Sequence, residues 1–475
     1  MDPELASAVA EKELSKPNFV QLAIHFIPHD LLPDGLVGRN DVDPNTVIVE
    51  TPYRTIPSIG NINTRQLWRS KQLVLFEGRS DSSPKTSRVE VPTYIHYLTS
   101  IHMLINTPHL CVKDEYQDIV KIRWTHNLSG NVGDSSTFLY GKTYVDQLNS
   151  FVDDVERQFN EGGSGRSPEI RSIYQGIHPL MTKWSTSIAP SEVYFFPPYY
   201  FSRKLLHAVP SFMMSSESRP TFINRFRSVK DLVGMKVKNN DTWSTIPCNP
   251  KYLKEFKQNF EPIAIRGICD IVPKDYRDEE INCLTGFSHL IKTYITKEKK
   301  GVKYGQTVEI DLSNCPDACL ALFFMAMNER SASVGLRSNY TTNCTDQHKG
   351  LDPIGNFSLL YKGVDEYYKY KDIESDYAAF IVPRESFPNI PTEQGFHGLA
   401  FSDCPFKDET GGIAFGEHGA QFHVRLRQYE NFEGSIPDDT FTVVVLMLVI
   451  RDLRFKRNEK NGEFRFDAEV AKPSM

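Results

Sequence analysis

Apolar and polar positions alternate with a period of two along much of the chain. Val120, Ile122 and Trp124 alternate with Lys121 and Arg123; Val308, Ile310 and Leu312 with Glu309 and Asp311; Phe422, Val424 and Leu426 with His423, Arg425 and Arg427. Successive side chains of a strand point to opposite faces, so each stretch predicts a half-buried strand. Three further runs, 73–76, 318–327 and 443–450, are apolar without interruption. Such a strand has both faces covered, one by a second sheet and the other by another domain or subunit. Turn clusters such as 296–301 separate the strands, which predicts sandwiches rather than βαβ units.

One helix is predicted over 140–160, where Tyr144, Leu148, Phe151, Val155 and Phe159 recur at three- and four-residue spacing. The Gly-rich stretch 161–168 ends it. Long loops are expected at 30–44 and 340–353. No repeat of roughly 20–50 residues is visible, which argues against propellers and solenoids. The stretch 231–259 is polar, is broken by Pro247 and Pro250, and divides the chain into two parts of similar size, each rich in strand signals. The pattern predicts two β-domains in tandem.

Composition narrows the function classes. The 475 residues are 40% hydrophobic and 24% charged, with 28 glycines and 29 prolines, an ordinary globular balance. The longest apolar run, 318–327, falls short of the ~20 residues a spanning helix needs. The opening MDPELASAVAEKELSK has no apolar core of the kind a secretory signal carries. A net charge of −6 does not suit the neutralisation of many phosphates, so direct sequence-specific nucleic-acid binding is not expected. The basic cluster Arg451, Arg454, Lys456, Arg457 and Lys460 reads as a solvated strand end and tail. Its sharper alternative is a contact with an inner membrane or an internal partner. Eight cysteines are scattered, and only Cys315 and Cys319 lie close, with no second pair to finish a zinc site, so free thiols are expected. The five N-x-S/T sequons, at Asn127, Asn240, Asn339, Asn343 and Asn356, carry no prediction of secretory glycosylation.

A search for chemistry finds little. No Gly-rich phosphate loop is present, and 162–165 does not satisfy a nucleophile elbow. Asp153, Asp154 and Glu156 read as the solvent face of the predicted helix. No histidine pair has H-x-H spacing; the nearest groups are His397, Glu417-His418 and His423, and His418 and His423 fall on opposite faces of a strand. No catalytic residue, cofactor or metal is expected. The conspicuous feature is aromatic: 194–201 reads Tyr-Phe-Phe-Pro-Pro-Tyr-Tyr-Phe. It is either a core belt bent at its prolines or a docking surface between domains or subunits.

At this segment the chain resembles the major capsid proteins of nucleocytoplasmic large DNA viruses. Phe196, Pro197, Pro198, Tyr199, Tyr200, Phe201, Ser202 and Arg203, then Ala208-Val209-Pro210 and the strand-like 221–227, match that family's apolar-Pro-aromatic-Phe-Ser-Arg run, Ala-Leu-Pro-like turn and last strand of a first jelly roll. In the same order come the acidic stretch 276–280 before Leu290-Ile291, Asn314-Cys315-Pro316 before an apolar strand, Gly398-Leu399-Ala400-Phe401-Ser402, and 446–451 as a final strand. Ala400 stands where the family usually has Asn, and Asn314 where it has His.

The resemblance implies an all-β chain of two tandem eight-stranded jelly rolls, a double jelly roll, with long loops and a few short helices. The expected division is an N-terminal arm over 1–17, a first jelly roll over 18–230, a connecting segment over 231–261, and a second jelly roll with a C-terminal tail over 262–475. The implied function is that of a major capsid protein, a homotrimer forming a pseudo-hexagonal capsomer that tiles an icosahedral shell. Phe196, Pro197, Pro198, Phe201, Ser202, Arg203, Pro210, Pro316, Phe401 and Ser402 would be structural motif residues. Implied partners are further copies of the chain, minor capsid or penton proteins, and an inner membrane. The implied location is the virion shell, assembled in the host cytoplasm. Tight trimer faces would account for strands apolar on both sides. A minor capsid or scaffold protein of the same fold is one alternative; a jelly-roll enzyme or glycan-binding protein is another.

Overall fold

The computed structural model describes residues 70–75, 79–80, 86–91, 96–139, 143–160, 174–202, 207–214, 220–260, 263–271, 286–313, 315, 317–345, 349–362, 367–407, 411–432, 434–460 and 463–470. The expected arm at 1–17, the loop at 30–44, the stretch at 276–280, Arg203, Asn314 and Pro316 lie outside these residues.

Two units share one winding. In the first, the strands are β1 (Ser70–Leu75), β2 (Thr86–Glu90), β3 (Tyr97–Asn106), β4 (Gly133–Leu139), β5 (Thr143–Leu148), β6 (Glu192–Phe195), β7 (Thr221–Phe226) and β8 (Ile263–Ile271). They form antiparallel sheets ordered β1-β8-β3-β6 and β2-β7-β4-β5. In the second, they are β9 (Gly286–Lys303), β10 (Thr307–Asp311), β11 (Ala318–Asn328), β12 (Ile354–Lys362), β13 (Tyr367–Glu374), β14 (His397–Ala400), β15 (Gln421–Leu426) and β16 (Thr440–Lys460). Their sheets are ordered β9-β16-β11-β14 and β10-β15-β12-β13. A last strand, β17 (Glu463–Val470), folds back on β16.

Strand polarity fixes where the connections emerge. In the first unit β3 runs antiparallel to both β6 and β8, so its exit and their entries share one end of the sandwich. The connections there carry additional strands. Val120–Trp124, Val233–Asn239 and Thr242–Ile246 form one small sheet, and Leu110–Val112, Ser187–Ile188 and Leu253–Lys254 form another. By the same argument the second unit gathers 329–353, 375–396 and 427–439 at its corresponding end.

The uninterrupted apolar runs explain how the units join. Along β11, Leu322, Phe324 and Ala326 face the interior of the second sandwich, while Ala321, Phe323 and Met325 face the first unit. Along β16, Val443, Val445, Met447 and Val449 point inward, and Val444, Leu446 and Leu448 point to the first unit. All are at most 1% exposed. At about 1.5–3 kcal/mol for each large apolar side chain buried, this two-sided layer is a major stabilising element. The second cover is thus the other unit of the same chain, and no trimer face is needed to account for it.

Three further expectations are corrected. Residues 140–160 are not one helix: β5 ends at Leu148, and helix α1 (Ser150–Val155) follows, continuing as a π-turn over Glu156–Asn160. Asn149, extended at φ −130° and ψ 177°, caps it by accepting from the Val152 N–H at 3.0 Å. Pairing of β5 with β4 satisfies more backbone groups than another helical turn would, and overrides the 3.6 periodicity. The stretch 231–261 is not a linker between the units, because its strands pair with Val120–Trp124 and Leu110–Val112 inside the first unit. Its polarity belongs to the solvent face of a ladder. Moreover β8, expected in the second jelly roll, fills the centre of a first-unit sheet, so the boundary falls between Ile271 and Gly286. The basic residues after Ile450 lie, as expected, on a strand end with Arg454 and Lys456 exposed; that end of β16 is paired with β9 and β17 rather than a tail, and Arg451 Nε donates to Asp317 at 2.9 Å.

Phe323→Ala, on the face shared by the units, is expected to cost about 3–5 kcal/mol, as is Phe324→Ala on the opposite face. Leu180→Ser, 77% exposed, should stay within about 0.5 kcal/mol. Denaturant midpoints check all three; an unperturbed Phe323→Ala chain would contradict the two-sided packing.

Candidate assembly surfaces

The motif residues separate into two topologically equivalent places. The 196–202 segment leaves β6, and Phe401-Ser402 leaves β14, so each follows the sixth strand of its unit. Tyr199, Tyr200 and Phe201 are buried, and Phe201 and Tyr199 pack on Phe222 with ring centroids 5.8 and 5.1 Å away. The Ser202 hydroxyl donates to the Tyr199 carbonyl at 2.7 Å. Pro197 N–H-free backbone accepts from Tyr199 N–H at 2.8 Å, closing the bend at Pro197-Pro198. Pro210 is buried beside Tyr97, its ladder partner on β3. Phe401 N–H donates to Leu320 O at 2.8 Å, and its ring meets Phe415 at 5.3 Å. Phe196 alone of this aromatic run is strongly exposed, at 55%. The run is therefore a core belt with one outward ring. His397 is also structural: it stacks on Phe324 at 4.8 Å, with Nε2 2.8 Å from Asp352 and Nδ1 3.1 Å from the Phe324 carbonyl. Among the described residues no three His, Cys, Asp or Glu groups converge as metal ligands would.

A polar seam holds the units in one arrangement. Asp154, expected at the solvent face of a helix, is fully buried. It accepts from Asn127 Nδ2 at 2.7 Å, from the Ser338 hydroxyl at 2.6 Å, from the Tyr340 hydroxyl at 2.7 Å and from Arg157 Nη2 at 3.3 Å. Arg157 also forks onto Glu393, at 2.6 and 3.0 Å, and His126 Nε2 lies 3.2 Å from the same carboxylate. Burial alone would raise the Glu393 pKa, but Arg157 and His126 more than offset it and hold the carboxyl well below the usual range. Burial and the Asp154 carboxylate push the Tyr340 phenol well up, keeping it a donor. Gly395, at φ 88°, permits this approach, since a Cβ there would lie 2.2 Å from the Tyr340 carbonyl oxygen. Sequence reasoning missed Asp154, Arg157 and Glu393 because their partners are 184 and 236 residues away. No local signal marks them.

Next to this seam lies the contact that repeats. The β5–β6 connection of the first unit lays its π-turn on the outer face of β11, where Phe159 meets Phe323 at 4.9 Å and Phe387 at 5.1 Å. The equivalent β13–β14 connection of the second unit also carries a π-turn, Tyr377–Ile381, followed by helix α2 (Val382–Ser386). There Tyr377, Phe380 and Ile381 are 38%, 49% and 44% exposed. The equivalent outer sheet face of the first unit presents Phe196, stacked on His102 at 5.3 Å and 6.3 Å from Tyr194.

No family model matches the sequence, and no curated protein does. Solved structures do. The chain is similar to PBCV-1 VP54, as fitted into a reconstruction of the virophage Sputnik, with 11% identity, a TM-score of 0.63, and 88% of this chain and 100% of that one covered. A quasi-atomic model of the PBCV-1 capsid gives 9% identity, a TM-score of 0.62 and the same coverage. The Faustovirus major capsid protein gives 8% identity, a TM-score of 0.58, and coverage of 86% and 94%. The chain is a double jelly roll. Its winding agrees, strand for strand, in both units, and the double jelly roll accounts for the paired positions of the Phe-Ser motifs after β6 and β14.

Two predictions follow from the charges at this double jelly roll's seam. His289, on β9, is buried 5.7 Å from His207 of the first unit, and burial together with that neighbour holds its pKa down at about 3. The unfolded chain, with a pKa of about 6.5, takes up a proton that the folded chain refuses, so stability falls as pH drops below about 6.5. This residue alone should remove about 2 kcal/mol between pH 7 and pH 5, and His289→Gln should flatten that part of a Tm-against-pH curve. Glu393, with its pKa depressed, contributes stability above about pH 4 that is lost at lower pH. Arg157→Met should cost about 3–5 kcal/mol, and the double variant with Glu393→Leu less than the sum of the single losses, as read in a double-mutant cycle.

Proposed function

We propose that this double jelly roll is a major capsid protein that builds a virus shell by self-association. The observation that carries the reading is that the turn after β5 packs on β11 through Phe159 and Phe323, while at the topologically equivalent turn and sheet Tyr377, Phe380, Ile381 and Phe196 are exposed. Apolar side chains of that size on a surface mark an interaction site. A second copy supplies the missing half at each end. The contact is heterologous, and it closes as a ring of three chains and six similar units, a pseudo-hexagonal capsomer suited to tiling an icosahedral lattice. The fold likeness to PBCV-1 VP54 and the Faustovirus major capsid protein supports the same role.

In this reading the chain performs no reaction. Its work lies in shape and buried interface area, the motif residues from Phe196 to Ser202 and at Phe401-Ser402 setting the backbone bends that follow β6 and β14. Minor capsid or penton proteins fill positions that the trimer does not. The protein resides in the virion shell, assembled in the host cytoplasm, with the basic end of β16 facing an inner membrane or an internal partner.

Light scattering of the purified chain should report a trimer, and electron micrographs should show pseudo-hexagonal blocks. Phe380→Asp and Phe196→Asp should each shift it towards monomer by about thirtyfold or more in dissociation constant, with Tm of the monomer little changed. A chain that stays monomeric at the highest soluble concentration would overturn the reading.

A further inference from the structure

The exposed ring of Phe196 stands over a polar pair. His102 on β3 and Arg266 on β8 are ladder partners, and both side chains turn away from the core that Ile101, Met103 and Ile265 enter. The Phe196 ring stacks on the His102 imidazole at 5.3 Å and 25°, and His102 is only 7% exposed. Burial, and then the Arg266 charge, lower the His102 pKa, so the imidazole stays neutral and Arg266 is the cation of the pair. Among the described residues, His102 Nδ1 and Arg266 Nε are buried without a hydrogen-bond partner. A buried donor left in that state costs free energy, and an incoming acceptor relieves it. The acid on β6, Glu192, pairs in the ladder with Asn106, four residues and about 13 Å along β3 from His102.

The turn after β13 has the complementary form. Asp372, Glu374, Asp376, Tyr377, Phe380 and Ile381 border an open groove of about 520 Å³. Three exposed carboxylates thus stand beside three apolar side chains. The Asp376 side chain makes no cap bond to the turn it opens. The flanking cations are Lys371 and Arg384, and Arg384 lies 3.7 Å from Glu385. We propose that Phe196 of one copy enters this groove on the next copy, and that Arg266 beside it pairs with the acidic rim at Glu374 and Asp376. The inference rests on the self-association reading above and adds which groups meet. The aromatic ring supplies buried area, and a guanidinium–carboxylate pair beside it, shielded from water, fixes the register and excludes other partners. Arg266 Nε gains the acceptor that it lacks within its own chain.

The test uses the full chain, with the trimer dissociation constant read by sedimentation and light scattering across a concentration series. Arg266→Glu, and the rim variant Glu374→Lys/Asp376→Lys, should each weaken assembly by about thirtyfold or more, since like charges then meet at every contact. The chain carrying all three changes should recover to within about threefold of the unchanged chain, because the charges have traded places. Arg266→Gln, which introduces no reversed charge, should weaken assembly by about tenfold and make it less sensitive to salt. Monomer Tm checks that each variant folds. The proposal is overturned if the combined chain does not recover, or if Arg266→Gln assembles like the unchanged chain. A trimer that weakens only when the rim is altered would put another occupant on the Phe196 face, which overturns the pairing and leaves self-association standing. An unchanged chain that stays monomeric overturns both.

Discussion

Two strands with apolar runs on both faces, β11 and the 443–450 part of β16, hold this molecule together. β11 and β16 lie side by side in the second unit, and each sends alternate apolar side chains into its own sandwich and into the first unit. A sheet of that kind is stable only with both faces covered, so the second unit carries an obligation that only the first unit discharges. The interface between the units has the composition of a core rather than of a docking surface, with Phe159 edge to face on Phe387 and Phe396 and tilted on Phe323. Such contacts fix a single arrangement because interiors are close-packed and do not deform continuously.

The charged groups are placed where that apolar layer ends. Asp154, Arg157 and Glu393 join α1 and the π-turn after it to two connections of the second unit, with Asp154 and Glu393 each accepting several hydrogen bonds. Buried pairs of this kind add little net stability over well-packed apolar groups, but they penalise every arrangement in which a charge is left without its partner. Their effect is therefore on the angle between the units.

The repetition of one winding gives the surface its meaning. The same strand order in both units places the turn after β5 and the turn after β13, and the segments after β6 and β14, at equivalent positions. Around this frame, the connections at one end of the first unit carry two further small sheets. Function resides in such surfaces, and the fold alone does not specify it.

The strand pattern was readable because its period is local. Val308-Glu309-Ile310-Asp311-Leu312 states its two faces without reference to any distant residue, and the uninterrupted runs at 318–327 and 443–450 announced two covers. The ordered short motifs from Phe196 to Ser402 pointed to the winding. What covers the second face was not readable, since a neighbouring unit and a neighbouring subunit ask the same composition of a strand. Nor were the ends of 140–160, where pairing with β4 outweighed helical spacing, or the place of β8, which closes a sheet begun at Ser70. Asp154 looked like any solvated acid on a helix. Only the fold brings Ser338 and Tyr340 to it, because hydrogen bonds between residues 184 and 186 positions apart leave no trace in local sequence. The sequence alone determined which stretches alternate as strands and which faces avoid water; the tertiary structure decided which strands pair and what those faces meet, because contact partners are set by the closing of the sheets.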